Sequence, residues 1–210
     1  MPSITRRRAL YGAVALVTSF AGCSGETSSG SSYPPEDVDN VAIDPESYSL
    51  RNPRSEPTVW SGERPTPGED GTNHYWNHVF VTGPDDAANV SFADVPGADE
   101  ARNFLDATDY DTTTVYVEQS AVQECFAPEL CYVEWSETEI ETSYTRRYRD
   151  VDVACETDVE DVVATLVRIP AVIDPSDING YGSSHGSRTC ARRNERIRQR
   201  RNASDGGAHP

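Results

Sequence analysis

Apolar positions along this chain fall into short runs, and their spacing predicts strands far more often than helices. Tyr75 to Thr82 is aromatic and β-branched and stops at Gly83-Pro84, which reads as a strand. Val90-Ser91-Phe92 forms a second short candidate. Thr114 to Glu118, Leu130 to Trp135 and the threonine- and tyrosine-rich stretch Glu139 to Tyr148 follow. Val151 to Cys155 alternates cleanly, and Val162 to Ile169 is a dense, β-branched apolar run of the kind that fills a central strand. One segment has helical spacing: Ala101, Phe104 and Leu105 fall at i, i+3 and i+4 after Pro96-Gly97, with Asp99 and Glu100 in the first turn. From Val41 to Pro67, prolines at 45, 53, 57, 65 and 67 leave room only for edge strands and turns. The pattern predicts a mainly β fold, an antiparallel sandwich or partly open barrel with one short helix on one side.

The first 22 residues have a different character. Arg6-Arg7-Arg8 precedes an uncharged stretch from Ala9 to Ala21, and Ala21-Gly22 leads into Cys23. That order is a processing signal rather than a structural element. The stretch is well short of the roughly 20 apolar residues a spanning helix needs. Thr5 to Leu10 resembles a twin-arginine export motif with Arg6 and Arg7 as its pair, and Phe20-Ala21-Gly22-Cys23 resembles a lipobox. The resemblance implies export of a folded chain and a lipid on Cys23. A two-chain lipid would anchor it stably, since one chain holds only marginally. Residues 23–40, rich in Ser, Gly, Pro and acid, then read as a flexible tether. The globular domain is expected over residues 41–190, one domain with a real core.

Charge alters the picture of the solvent. All 18 basic residues are arginine, there are 35 acids, and the net charge is −17. Residues 24–187 hold eight arginines against 33 acids, a balance of −25. Such self-repulsion strains a compact fold at low salt, whereas at molar salt the Debye length falls to about 3 Å. The composition resembles that of proteins from salt-loving archaea, and the whole chain resembles a haloarchaeal twin-arginine-exported lipoprotein. Residues 191–210 reverse the sign, with six arginines between Arg192 and Arg201. Outside the membrane and at high salt, phosphate binding by such an arginine-rich tail is weak, so no nucleic-acid partner is expected.

Four cysteines remain after Cys23. In an exported chain they predict two disulfides. The spacing favours Cys125–Cys131 across a short loop and Cys155–Cys190 pinning the C-terminal segment. No Cys-x-x-Cys occurs. His74 and His78 lie four apart, but on a strand that spacing separates them by about 13 Å, too far to share one metal ion. Asp174 to Gly180 is similar to part of a calcium loop but lacks its terminal glutamate, and its Asn179-Gly180 also suits a plain turn. The stretch that follows, with Tyr181, Ser184, His185 and Arg188, is the candidate ligand loop; it matches neither a nucleophile elbow nor a phosphate loop. Asn89 and Asn202 begin glycosylation sequons.

These observations lead to an expected lipid-anchored, extracytoplasmic binding domain. Its partners would be the membrane, through Cys23, and an envelope protein or small ligand; no cofactor is expected. Trp60, Trp76 and Trp135 are further candidates for the binding surface. One alternative is a metal-dependent or redox enzyme using His74, His78, His185 or the cysteines. Another is a passive envelope component. The order of elements from the helix to Pro170 also resembles the small β-domain of secreted protease inhibitors.

Overall fold

The computed structural model describes residues 40–54, 56–65 and 78–206. Arg6, Arg7, Cys23, His74 and Trp76 lie outside them. The architecture is built on two strands, β6 (Thr114–Gln123) and β9 (Glu160–Ile169), which pair antiparallel from Thr114 opposite Ile169 to Gln123 opposite Glu160. Both are almost continuously buried. They sit at the centre of a four-stranded sheet, flanked by β2 (Ser47–Asn52) beside β9 and β4 (Val79–Val81) beside β6. Burial on both faces is why β9 from Val162 to Ile169 and β6 from Val115 to Val117 run largely apolar without clean alternation.

A second sheet covers one face of the first. Its order is β1 (Val41–Ile43), β7 (Phe126–Trp135), β8 (Glu139–Tyr148) and β10 (Gly180–Gly186). The first two pairings are antiparallel, and β10 lies parallel to β8. Between the sheets, Tyr116, Val167 and Ile169 meet Val133 and Ile140. The opposite face of the first sheet packs Leu50, Val115, Val117 and Leu166 against two helices, α1 (Pro84–Asn89) and α2 (Ala98–Asp106). A ribbon of β3 (Val59–Ser61) and β5 (Val90–Phe92) completes that layer. The helix expected near residues 96–105 is therefore α2, entered through Gly97 at φ 90°. A Cβ there would stand 2.7 Å from the Tyr48 hydroxyl, so both the backbone angle and the space require glycine.

The C-terminal segment adds a fourth layer. The stretch that reads as an arginine-rich tail forms α3 (Cys190–Gly206), which seats Ile197 and Asn194 on the outer face of the second sheet beside Val41, Cys131 and Tyr132. Asn194 donates to Asp44 at 2.7 Å, and Arg201 donates to the Val41 carbonyl. A bulge in β7 between Leu130 and Tyr132 lets Leu130 face the interior while Cys131 and Tyr132 both face α3.

The disulfides are Cys125–Cys155 and Cys131–Cys190, with Cα separations of 5.1 and 4.8 Å. This corrects the pairing expected from spacing. Cys125 lies in the β6–β7 turn and Cys131 lies on the extended strand β7. Six residues of strand place two Cα atoms about 20 Å apart, whereas a disulfide needs about 4.4–6.8 Å. Val151 to Cys155 is likewise a turn and not a strand, with Val151 fully exposed; Cys155 ties it to the β6–β7 turn. On the chain-entropy model Cys131–Cys190, which closes 59 residues, is worth about 4 kcal/mol.

Several side chains satisfy backbone groups that no ladder reaches. Arg102 donates to the carbonyls of Ala87 and Val90 at the end of α1. Arg168 does the same for Phe104 near the end of α2, its guanidinium lying over the Phe104 ring. Neither helix has a basic residue in its own last turn, so these arginines supply the charge that helix C-termini favour. Gln119, 4% exposed, accepts from the amides of Thr58 and Val59 at 2.8 and 2.9 Å and donates to the Val59 carbonyl at 2.7 Å. Its amide group ties β3 to the sheet as a backbone would. Gln119→Met keeps the volume but orphans these buried groups, at about 1–3 kcal/mol each before relaxation. A loss of about 2–4 kcal/mol is expected in urea unfolding at molar salt, and a loss below about 1 kcal/mol would refute this role.

Candidate functional site

The space between the sheets is apolar at one end and polar at the other. Along β6, Tyr116 ends the apolar part and Glu118, the next residue on that face, begins the polar part. Across the first sheet Glu118 is level with Thr165, and Thr165 with Ser49. The facing strand β8 supplies Thr142 and Tyr144, and β10 places Ser183 beside Thr142 and His185 beside Tyr144. A polar seam therefore crosses the sandwich from β2 to β10.

Both edges of the seam are open. At the β2 edge a cleft of about 560 Å³ is lined by Ser47, Ser49, Glu129, Leu130, Arg147 and Arg149 among others. At the other edge β4 is only three residues long. Tyr181 stacks on His78, just before β4, with ring centroids 4.0 Å apart, and His78 stacks in turn on Tyr116. Ser183 and His185 share the inward face of β10 with Tyr181 and remain exposed.

Hydrogen bonds connect that exposed face to the buried carboxylate. Thr142 Oγ1 lies 2.9 and 3.1 Å from the two oxygens of Glu118 and 3.2 Å from Ser183 Oγ. Ser183 Oγ lies 3.3 Å from His185 Nε2. Tyr144, whose ring stacks on His185, carries its hydroxyl beside Glu118, 3% exposed and without a hydrogen bond of good geometry. Glu118 itself is 8% exposed. Burial pushes its carboxyl up to about 7, partly offset by the Tyr144 and Thr142 hydroxyls. His185 is held below its ordinary value by burial and then by Arg146 and Arg193; His78 is lowered by burial alone.

The candidate ligand loop is thus a strand, and its residues divide between two faces. Tyr181 and His185 face inward; Ser184 faces the other way and donates to the Thr142 carbonyl at 3.4 Å. The serine beside His185 is therefore Ser183. Arg188 is exposed between β10 and α3. His78 is engaged by the Tyr116 hydroxyl at 2.5 Å. Among the described residues no three His, Cys, Asp or Glu side chains come together. Asp174 caps its own turn, accepting from the amide and hydroxyl of Ser176. Trp60 is half-buried beneath Arg64, and Trp135 packs on the inter-sheet core. Asn89 and Asn202 are both exposed. Glu118, Thr142 and Tyr144 escape a reading of the sequence; the one available signal is an acid inside an otherwise uncharged strand, Thr114 to Gln123.

No family model matches the chain, and neither does any curated protein or solved structure.

Because the folded carboxyl titrates above the ordinary value of 4.5, the native state binds the extra proton between about pH 4.5 and about pH 7. Stability is therefore lost as pH rises through that window. Relative to Glu118→Gln, the wild type is expected to lose about 3 kcal/mol across it. Urea unfolding in tetramethylammonium chloride measures this with no small cation competing for the carboxylate; parallel pH profiles for the two proteins would refute it.

Proposed function

We propose that this chain is a lipid-anchored binding domain on the outer face of the membrane of a salt-loving cell. Its ligand is small and polar and is taken at the inward face of β10. The observation that carries this reading is the exposure of Tyr181, Ser183 and His185 above the buried Glu118. Such a face offers one aromatic surface and several convergent polar groups, the usual make-up of a ligand site. The two disulfides suit an oxidising compartment outside the cytoplasm. They also leave Cys125, Cys131, Cys155 and Cys190 without free thiols, which weakens the redox-enzyme alternative.

Location is tested at Cys23. Cys23→Ser is expected to release the protein into the medium, and unchanged membrane association would place the anchor elsewhere. The released full-length chain then serves for binding, titrated by NMR with a panel of monosaccharides, amino acids and nucleosides. Shifts are expected at Tyr181, Ser183 and His185, with affinity lost at least about tenfold in Ser183→Ala/His185→Ala and kept in Ser184→Ala. Shifts confined to the cleft around Ser47 and Arg147, or no shift with any probe, would overturn the assignment of the site.

A further inference from the structure

Thr142 Oγ1 stands among four oxygens: both carboxylate oxygens of Glu118 at 2.9 and 3.1 Å, Ser183 Oγ at 3.2 Å and the Gly182 carbonyl at 3.4 Å. A hydroxyl has one proton to give. If Thr142 donates to one carboxylate oxygen and Ser183 donates to Thr142, the second carboxylate oxygen and the Gly182 carbonyl still face Thr142 with no hydrogen between. Should Ser183 instead donate to His185, another contact loses its proton. The buried Tyr144 hydroxyl, with no partner at hydrogen-bond geometry, adds a further oxygen and one proton beside Glu118. None of the ion pairs among the described residues involves Glu118. With its carboxyl ionised, Glu118 gives the cluster one buried negative charge that none of these ion pairs balances. Uncompensated burial of this kind is costly.

We propose that Glu118, Thr142, Ser183 and the Gly182 carbonyl, with the Tyr144 hydroxyl, bind a small monovalent cation, sodium, beneath the exposed face of β10. The ligand chemistry decides the class of ion. All the donors are hard oxygens, which disfavours soft transition metals. A single carboxylate balances one positive charge, whereas calcium sites draw on several carboxylates and a divalent ion here would leave a buried excess of charge. The site ties β6, β8 and β10 together across the two sheets, so occupancy favours the folded state. It stands whether or not an organic ligand binds on the outer side.

Unfolding of the full chain bearing Cys23→Ser is compared in sodium chloride and in tetramethylammonium chloride at equal molar concentration, so that screening is matched. The wild-type unfolding constant is expected to be about tenfold or more lower in sodium. That difference should vanish in Glu118→Gln, which keeps the shape of the side chain, and shrink in Ser183→Ala. Sodium-23 NMR provides the second measurement: excess line broadening with the wild type and none with Glu118→Gln. Equal unfolding constants in the two salts, the same difference in Glu118→Gln, or broadening that survives that substitution would each overturn the proposal.

Discussion

Strands β6 and β9 run side by side for ten residue pairs, and over most of that length neither of the faces they share is left to water. That double burial is the constraint on which the other layers depend. One face needs the helices α1 and α2 and the β3–β5 ribbon. The other needs the whole of the second sheet. The second sheet then has an outer face of its own, which α3 covers through Ile197, Asn194 and the Cys131–Cys190 disulfide. Apolar burial of roughly 25 cal/mol per Å² rewards each added layer, and the disulfides hold the pieces with least apolar surface.

The same pairing explains why the interior can carry a polar seam. Tyr116, Val167 and Ile169 supply enough apolar contact at one end of the sandwich to hold the two sheets together. Farther along, Glu118 and Thr165 face Thr142 and Tyr144, where an apolar set would have packed more simply. Burying a carboxylate there raises its proton affinity, because the charged form loses its water. A fold retains such a group at a cost to its stability, and the seam reaches the surface at both edges. Cost and access together single it out from the remaining polar surface.

Arginine takes structural roles across the molecule. Arg102 and Arg168 close helix ends, Arg51 pairs with the nearly buried Asp161 at 2.5 Å, and Arg193 and Arg201 fasten α3 to the second sheet. The planar guanidinium reaches several acceptors at once, which a lysine ammonium does not match geometrically. In a chain so rich in acid, these arginines are placed where backbone carbonyls, a buried carboxylate or, for Arg193, the buried Ser143 hydroxyl take a donor.

Periodicity by itself determined the mainly β class, the central strand at Val162 to Ile169 and helix α2, because apolar spacing reports directly on which faces are buried. The even number of cysteines likewise established two disulfides. Their pairing was decided only by tertiary structure, since Cys131 is carried by β7 away from Cys125 and toward α3. Helix α3 was illegible for a similar reason: its seat is made by Cys190, Asn194, Ile197 and Arg201, only two of them apolar, so no stripe marks it. Tyr181 and His185 stood out by type, but their partners did not. Strand alternation turned Ser184 away and brought Ser183 to His185, while Glu118, Thr142 and Tyr144 arrived from strands up to 67 residues distant in the chain. Local pattern records the environment of each face; which side chains meet across two sheets depends on register, and register is settled by the pairing of whole strands.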